Sequence, residues 1–204
     1  MTRFSLQKPL QVAVVFFMFM SLLARAESAD PYQVVDDVTN KLISAAQEHN
    51  KGGDKATFDA QVMAALEPVV AFDYIARVVM GNYYGKATDE QKRAFADKFQ
   101  SDLVNTYAKG IATYADSNIQ LTPASEPAGD ARRVTVEQQV SHEGSTHKLS
   151  YTMGKNREDQ WKLINVVLNG VNLGRSFSSQ FEQLANKYNG DIDRVISHWD
   201  SSEG

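Results

Sequence analysis

Val134-Thr135-Val136-Glu137-Gln138-Gln139-Val140, Leu149-Ser150-Tyr151-Thr152-Met153 and Trp161-Lys162-Leu163-Ile164-Asn165-Val166-Val167-Leu168 decide the fold class. In the first two, apolar and polar side chains alternate with the two-residue period of a half-buried strand. The third is apolar on both faces and reads as a central strand. His142 to Thr146 and Lys155 to Gln160 supply the turns between them. Ile119 and Leu121 add a short strand ahead of a loop marked by Pro123, Pro127 and Gly129. The expectation is a twisted antiparallel sheet of about four strands.

The flanks change period from two to 3.6. Asp30-Pro31 reads as an N-cap followed by proline at the first helical position, and Val34, Val35, Val38, Leu42 and Ile43 form one apolar face up to about His49. Gly52-Gly53 ends that helix, and Asp54 caps a second one carrying Phe58, Val62 and Leu66. Ala71 to Met80 is a short helix with only Asp73 and Arg77 charged. Their spacing of four predicts an ion pair on a narrow solvent strip. Gly81 is placed to end the helix in a left-handed conformation.

Thr88-Asp89-Glu90-Gln91 matches a capping box. The helix behind it repeats Phe95, Phe99, Leu103, Tyr107 and Ile111 every fourth residue. Each such step advances about 40° round an ideal helix, so the stripe winds. After the strands, Ser176 caps a helix with Phe177, Phe181, Leu184 and Tyr188. Asn189-Gly190 ends it, and Asp191 caps a last helix with Ile192, Val195, Ile196 and Trp199. Helices, then strands, then helices is an α+β plan with helices covering one face of the sheet.

The first 26 residues read as an address. Arg3 and Lys8 precede an apolar run from Leu10 to Leu23, and Ala24-Arg25-Ala26 is a small-x-small cleavage signal. Residues 1–26 are therefore expected to be a signal peptide cut after Ala26, and residues 27–204 a single exported domain. The whole chain carries 21 Lys and Arg against 25 Asp and Glu; leaving out Arg3, Lys8 and Arg25 sets 18 against 25, a net charge of −7. So acidic a chain, without a basic block, is a poor partner for nucleic acid. The absence of cysteine excludes disulfides, thiol catalysis and cysteine zinc sites. His49, His142, His147 and His198 show no metal-ligand spacing, with His142 and His147 expected exposed beside a polar turn. The sequence contains no nucleophile-elbow, Walker or dinucleotide motif. Neither a catalytic group nor a metal or cofactor is called for. What the chain has in quantity is apolar side chains, and periodicity does not distinguish a packed core from a hollow one.

Three stretches carry a more specific likeness. Phe72-Asp73-Tyr74-Ile75-Ala76-Arg77-Val78-Val79-Met80-Gly81-Asn82-Tyr83-Tyr84 resembles the signature helix and glycine turn of the MlaC family, also called toluene-tolerance or Ttg2-type proteins. Ala87 to Gln91 with Phe95, Phe99, Leu103 and Tyr107 resembles that family's next helix. Trp161 to Leu173, followed by Phe177 and Ser179-Gln180-Phe181, resembles its tryptophan strand, glycine turn and S-Q-F helix. The order is kept along the whole mature chain. The chain departs from the pattern at Ser178, where many members carry arginine, and at Asn165 and Asn172, where many carry aspartate and serine.

The resemblance implies a Gram-negative periplasmic carrier, not an enzyme, that shuttles phospholipid between the outer and inner membranes to maintain outer-membrane asymmetry. Its partners would be an MlaA-type lipoprotein–porin complex and an MlaD-type MCE protein of an ABC transporter. It also implies an apolar cavity between sheet and helices for the acyl tails. The expected lining is Phe72, Ile75, Val79, Phe99, Leu103, Tyr107, Tyr151, Val166, Leu168, Val171, Phe177 and Phe181. Two other function classes compete. A cone-shaped isomerase-like enzyme would need a carboxylate or a tyrosine such as Tyr107 or Tyr151 as an internal base. A lipid-free adaptor or chaperone would show a solid core and an exposed apolar patch.

Overall fold

A computed structural model describes residues 30–122 and 131–203. The expected signal peptide, and the loop prolines Pro123 and Pro127 with Gly129, lie outside those residues.

The helical caps follow the sequence closely. Helix α1 (Pro31–Asn50) starts where the Asp30 carboxylate accepts from the Tyr32 N–H, and α2 (Lys55–Leu66) where Asp54 accepts from the Thr57 N–H. Helix α3 (Phe72–Met80) ends at Gly81, whose φ of 50° is positive but whose ψ of −124° lies outside the left-handed helical region. The glycine therefore turns the chain into a single 3-10 turn over Gly81–Tyr83 instead of closing an αL cap. Asp73 and Arg77 do not pair; the Arg77 guanidinium sits 5.3 Å from the Tyr84 ring centre. Helix α4 (Asp89–Thr113) begins with both hydrogen bonds of the Thr88/Gln91 capping box.

Strands β1 (Asn118–Leu121), β2 (Arg133–His142), β3 (Ser145–Lys155), β4 (Trp161–Leu168) and β5 (Val171–Asn172) form one sheet in sequence order, each neighbour antiparallel. The sheet thus has one more strand than the four expected, and β5 is only two residues long. It leads directly into α5 (Leu173–Lys187). The cap there is Asn172, whose side chain accepts from the Arg175 N–H, and not Ser176. The β-turn residues upstream of that cap start the helix one turn earlier than the phenylalanine periodicity indicates. Helix α6 (Ile192–Ser197) is capped by Asp191 as expected.

Strand β4 carries partly buried apolar side chains on both faces, but β3, not β4, is the central strand. Thr152 pairs with Asn165 but Met153 with Leu163, so Ile164 is an extra residue on β4, a bulge. The bulge resets the alternation. Trp161 and Leu163 before it, and Val166 and Leu168 after it, all pair with the inward residues of β3. Beyond β4 the sheet has only β5 at Val167 and Leu168, and a bridge from Val70 to Leu163.

The core falls into three clusters. Phe95, Phe99, Phe177, Phe181 and Trp199 lock α3, α4, α5 and α6 together. Phe58, Val62, Val104 and Ala108 join α1, α2 and the second half of α4. Val35, Val136, Met153 and Trp161 tie α1 to the sheet. The clusters do not merge, and the space between them is where the site lies.

Candidate functional site

The winding stripe of α4 connects packed core to open space. Phe95 and Phe99 are fully buried, and the Phe95 ring meets Phe181 and Trp199 edge-on at 4.9 and 5.1 Å. Further along, Leu103, Tyr107 and Ile111 are only partly buried: Leu103 and Tyr107 pack against that cluster and Ile111 against the second on one side only. They face two apolar chambers.

The first chamber, about 190 Å³, lies between α3, α4, the start of α5 and β4. Its walls include Phe72, Ile75, Phe99, Leu103, Tyr107, Val166 and Phe177, seven of the twelve lining residues expected from the sequence. The second, about 390 Å³, lies between α1, α4 and the inner face of β1 to β4, and takes in Tyr107, Tyr151 and Leu168. Tyr107 and Ile111 line both, so these two side chains form the partition. The other three expected residues lie elsewhere. Val79 is buried and its outer side lines a surface groove. Phe181 is spent in aromatic packing against Phe95 and Trp199. Val171 is 55% exposed, because the two-residue β5 turns it outward at the sheet edge.

Sequence reasoning missed Val70, Leu163 and Leu173 in the first chamber, and Ile43, Ile119 and Leu149 in the second. Ile43, Ile119 and Leu149 belong to apolar faces or alternating strands in the sequence, but nothing in their period marks them as facing a void. Gln138 was missed for a different reason. It interrupts the inward series Val134, Val136, Val140 on β2, yet is only 2% exposed. Its amide donates to Thr39 Oγ1 at 3.1 Å and accepts from the Tyr151 hydroxyl at 2.9 Å. Those two bonds offset the cost of burying an amide in an apolar wall.

The rim of the second chamber is polar. His142 and His147 are both partly buried rather than exposed: the His142 ring packs on Tyr114, and His147, whose β2 partner is Val140, turns its ring inward. The Asn169 Oδ1 already accepts from the Lys148 N–H at 2.9 Å, so its amide donates to His147 Nδ1 at 3.0 Å. The remaining His147 Nε2–H then faces the Tyr114 hydroxyl at 3.0 Å. At the edge of the first chamber Gly174 packs so close to β4 that a Cβ would come within 2.6 Å of Asn165 Oδ1. Its N–H donates to that same oxygen at 3.1 Å.

The chemistry of the site is that of enclosure. Burial raises the Tyr107 and Tyr151 hydroxyls above the ordinary phenol range, so both hold their protons at neutral pH. The Tyr151 hydroxyl is engaged as the donor to Gln138. Among the described residues no group of three or more His, Asp or Glu is placed to hold a metal, and no helix is long and apolar enough to cross a membrane.

The family model for "MlaC protein" matches residues 36–201. The toluene tolerance protein ttg2D of Pseudomonas putida is 31% identical over 199 residues, covering 95% of this chain and 89% of the relative. The intermembrane phospholipid transport system binding protein MlaC of Haemophilus influenzae is 24% identical over 196 residues, covering 93% of this chain and 90% of that one. Among solved structures, a phospholipid-binding protein from Ralstonia solanacearum in complex with a phospholipid superposes with a TM-score of 0.75 at 23% identity. It covers 83% of this chain and 94% of its own.

Proposed function

The chain belongs to the MlaC family, and from that premise we propose that it is a non-enzymatic periplasmic carrier that holds phospholipid acyl chains in the two chambers beside Tyr107 and Ile111. The observation that carries the reading is the pair of adjoining apolar chambers between helices and sheet, in a fold shared with a phospholipid complex.

Energetics favour enclosure over a surface groove. Each methylene removed from water is worth about 0.8 kcal/mol, so a diacyl lipid of about 30 methylenes faces a penalty on the order of 20 kcal/mol when wet. Leaving half of the tails exposed forfeits roughly 10 kcal/mol of that. The larger chamber is within the roughly 300–1,000 Å³ of ordinary ligand pockets and the smaller one is below it, so rotation of Tyr107 and Ile111 would join them for a longer chain. Slow release of so apolar a cargo makes exchange depend on docking, with an MlaA-type complex at one membrane and an MlaD-type protein at the other as the donor and acceptor.

The test is extraction. Delipidated protein is mixed with vesicles of labelled phosphatidylethanolamine and phosphatidylglycerol, and the vesicles are sedimented. Labelled lipid staying in the supernatant with the protein, in a fixed ratio, supports the carrier. Protein that leaves the supernatant free of label at every lipid concentration contradicts it.

A further inference from the structure

The outer face of the sheet is polar on β2 and β3 and apolar on β4. Val136 and Met153 are fully buried and fix the alternation, so Arg133, Thr135 and Glu137 of β2 and Ser150, Thr152 and Gly154 of β3 point outward. On β4 the bulge changes the pattern. The Ile164 side chain lies over Gly154, where an added Cβ would come to 3.0 Å from Ile164 Cδ1. Val167, the partner of Ser150, faces the same way.

Helix α3 continues this apolar strip beyond the edge of β4. Tyr74 and Val78, one helical turn apart on α3, and Val171 on β5 are the exposed large apolar side chains of the described residues. The surface between α3, β4 and the start of α5 is concave. A groove of about 360 Å³ there is lined by Tyr74, Val78 and Ile164, together with Arg133 and Arg175. The hydrogen bond from the Gly174 N–H to Asn165 Oδ1 closes it off from the first chamber, so it belongs to the surface and not to the cavity. Its charge runs against that of the chain. The sequence has 25 acidic residues against 21 basic ones, yet no carboxylate is among the described residues that line the groove. Both arginines are exposed, and the ion pairs among the described residues all use lysine.

We propose that this groove is a docking surface for an acidic protein partner, which inserts an apolar side chain among Tyr74, Val78 and Ile164 and sets carboxylates against Arg133 and Arg175. Shape favours a protein over a bilayer: a concave site receives a protrusion, and a bilayer surface is flat. The residue types fit as well. Tyrosine and arginine carry a large share of the binding energy at protein interfaces, and the guanidinium fork matches a carboxylate. Cations at the rim steer an acidic partner into register and speed the encounter. The small footprint suits a transient contact, which a carrier must break after each exchange. The surface rests on the carrier reading, in which exchange depends on docking, and assigns that step to one face of the molecule.

The test measures association of the lipid-loaded protein with the MlaA-type complex and the MlaD-type protein of the same organism, each held in nanodiscs, at low and high salt. Wild type is compared with Arg133→Glu/Arg175→Glu and with Tyr74→Ala/Val78→Ala. All four substitutions are on the surface, and an unchanged melting curve confirms that the fold is kept. Each variant is expected to bind at least one of the two partners about tenfold or more weakly than wild type. The arginine variant should also lose the salt dependence that wild type shows. Lipid taken up from vesicles should be the same in all three proteins. Variants that bind both partners as wild type does overturn the docking surface and leave the carrier standing, as does a wild type that binds neither partner while still extracting lipid. Sedimentation with phosphatidylglycerol vesicles that depends on these four residues, with partner binding unchanged, assigns the face to the bilayer and also overturns the proposal. Wild type that takes up no lipid refutes the carrier itself.

Discussion

Leu103→Trp separates a hollow interior from a packed one by the sign of its effect. Leu103 lines the first chamber halfway along α4, between the packed Phe99 and the partition residue Tyr107. An indole in place of the isobutyl group adds roughly 60 Å³, about a third of the 190 Å³ chamber. Filling that volume of void is worth about 1.4 kcal/mol at roughly 24 cal/mol per Å³. For a domain of this size 1 kcal/mol corresponds to about 2–4 °C, so the lipid-free variant is expected to melt some 3–5 °C above lipid-free wild type. The same indole occupies space a tail would take, so lipid occupancy after equilibration with vesicles should fall severalfold. The assay is a pair of measurements on delipidated protein: a thermal melt followed by circular dichroism, and bound phospholipid per protein after loading. In a solid core the substitution is overpacking, costing about 1–3 kcal/mol, and the melt moves down. A lowered melting temperature with unchanged lipid occupancy would refute the reasoning.

Further outcomes follow from other parts of the structure. Gly174→Ala should destabilise by about 1 kcal/mol, since its methyl group displaces the Asn165 side chain and breaks their hydrogen bond. In an Asn165→Ala background the cost should largely vanish, which a double-mutant cycle of urea midpoints will show. Trp199→Ala, at the centre of the aromatic cluster with Phe95 and Phe99, should cost about 3–5 kcal/mol in chemical denaturation. Tyr107 and Tyr151 have raised pKa values in the fold, so their contribution to stability is complete below the ordinary phenol pKa near 10. It is lost as pH rises from there through their folded values. Ultraviolet titration should therefore show Tyr107 and Tyr151, like Tyr32 beside Asp30 and Glu137, ionising above the ordinary phenol range, and Tyr151→Phe should weaken the alkaline fall in melting temperature.

Much of the architecture was legible because it is written in local chemistry. Asp30, Asp54, Thr88 with Gln91, and Asp191 cap helices through their own side chains, and Glu143-Gly144 closes the hairpin expected between His142 and Thr146. Strand β4 misled for a long-range reason. Its unbroken apolar run shows neither the bulge at Ile164 nor the strand's place beside the edge, because register and strand order are not encoded in the strand alone. Phe177 and Phe181 illustrate the limit for the site. Both lie on one face of α5, one helical turn apart, yet Phe177 borders the first chamber and Phe181 is wedged against Phe95. A stripe shows which side is inward; whether a neighbour fills the space opposite depends on where α3, α4 and β4 stop. The α4 stripe shows the same limit: Phe95, Phe99, Leu103 and Tyr107 all pack on one cluster, yet only the first two are fully buried.

The most direct measurement is native mass spectrometry of the protein purified from the periplasm without added lipid, followed by organic extraction of what it carries. The expected result is a protein whose mass lacks residues 1–26 and exceeds that of the bare chain by an integral number of phospholipids, identified in the extract. A protein that flies at the bare mass, with no phospholipid in the extract and none acquired from vesicles, would contradict it.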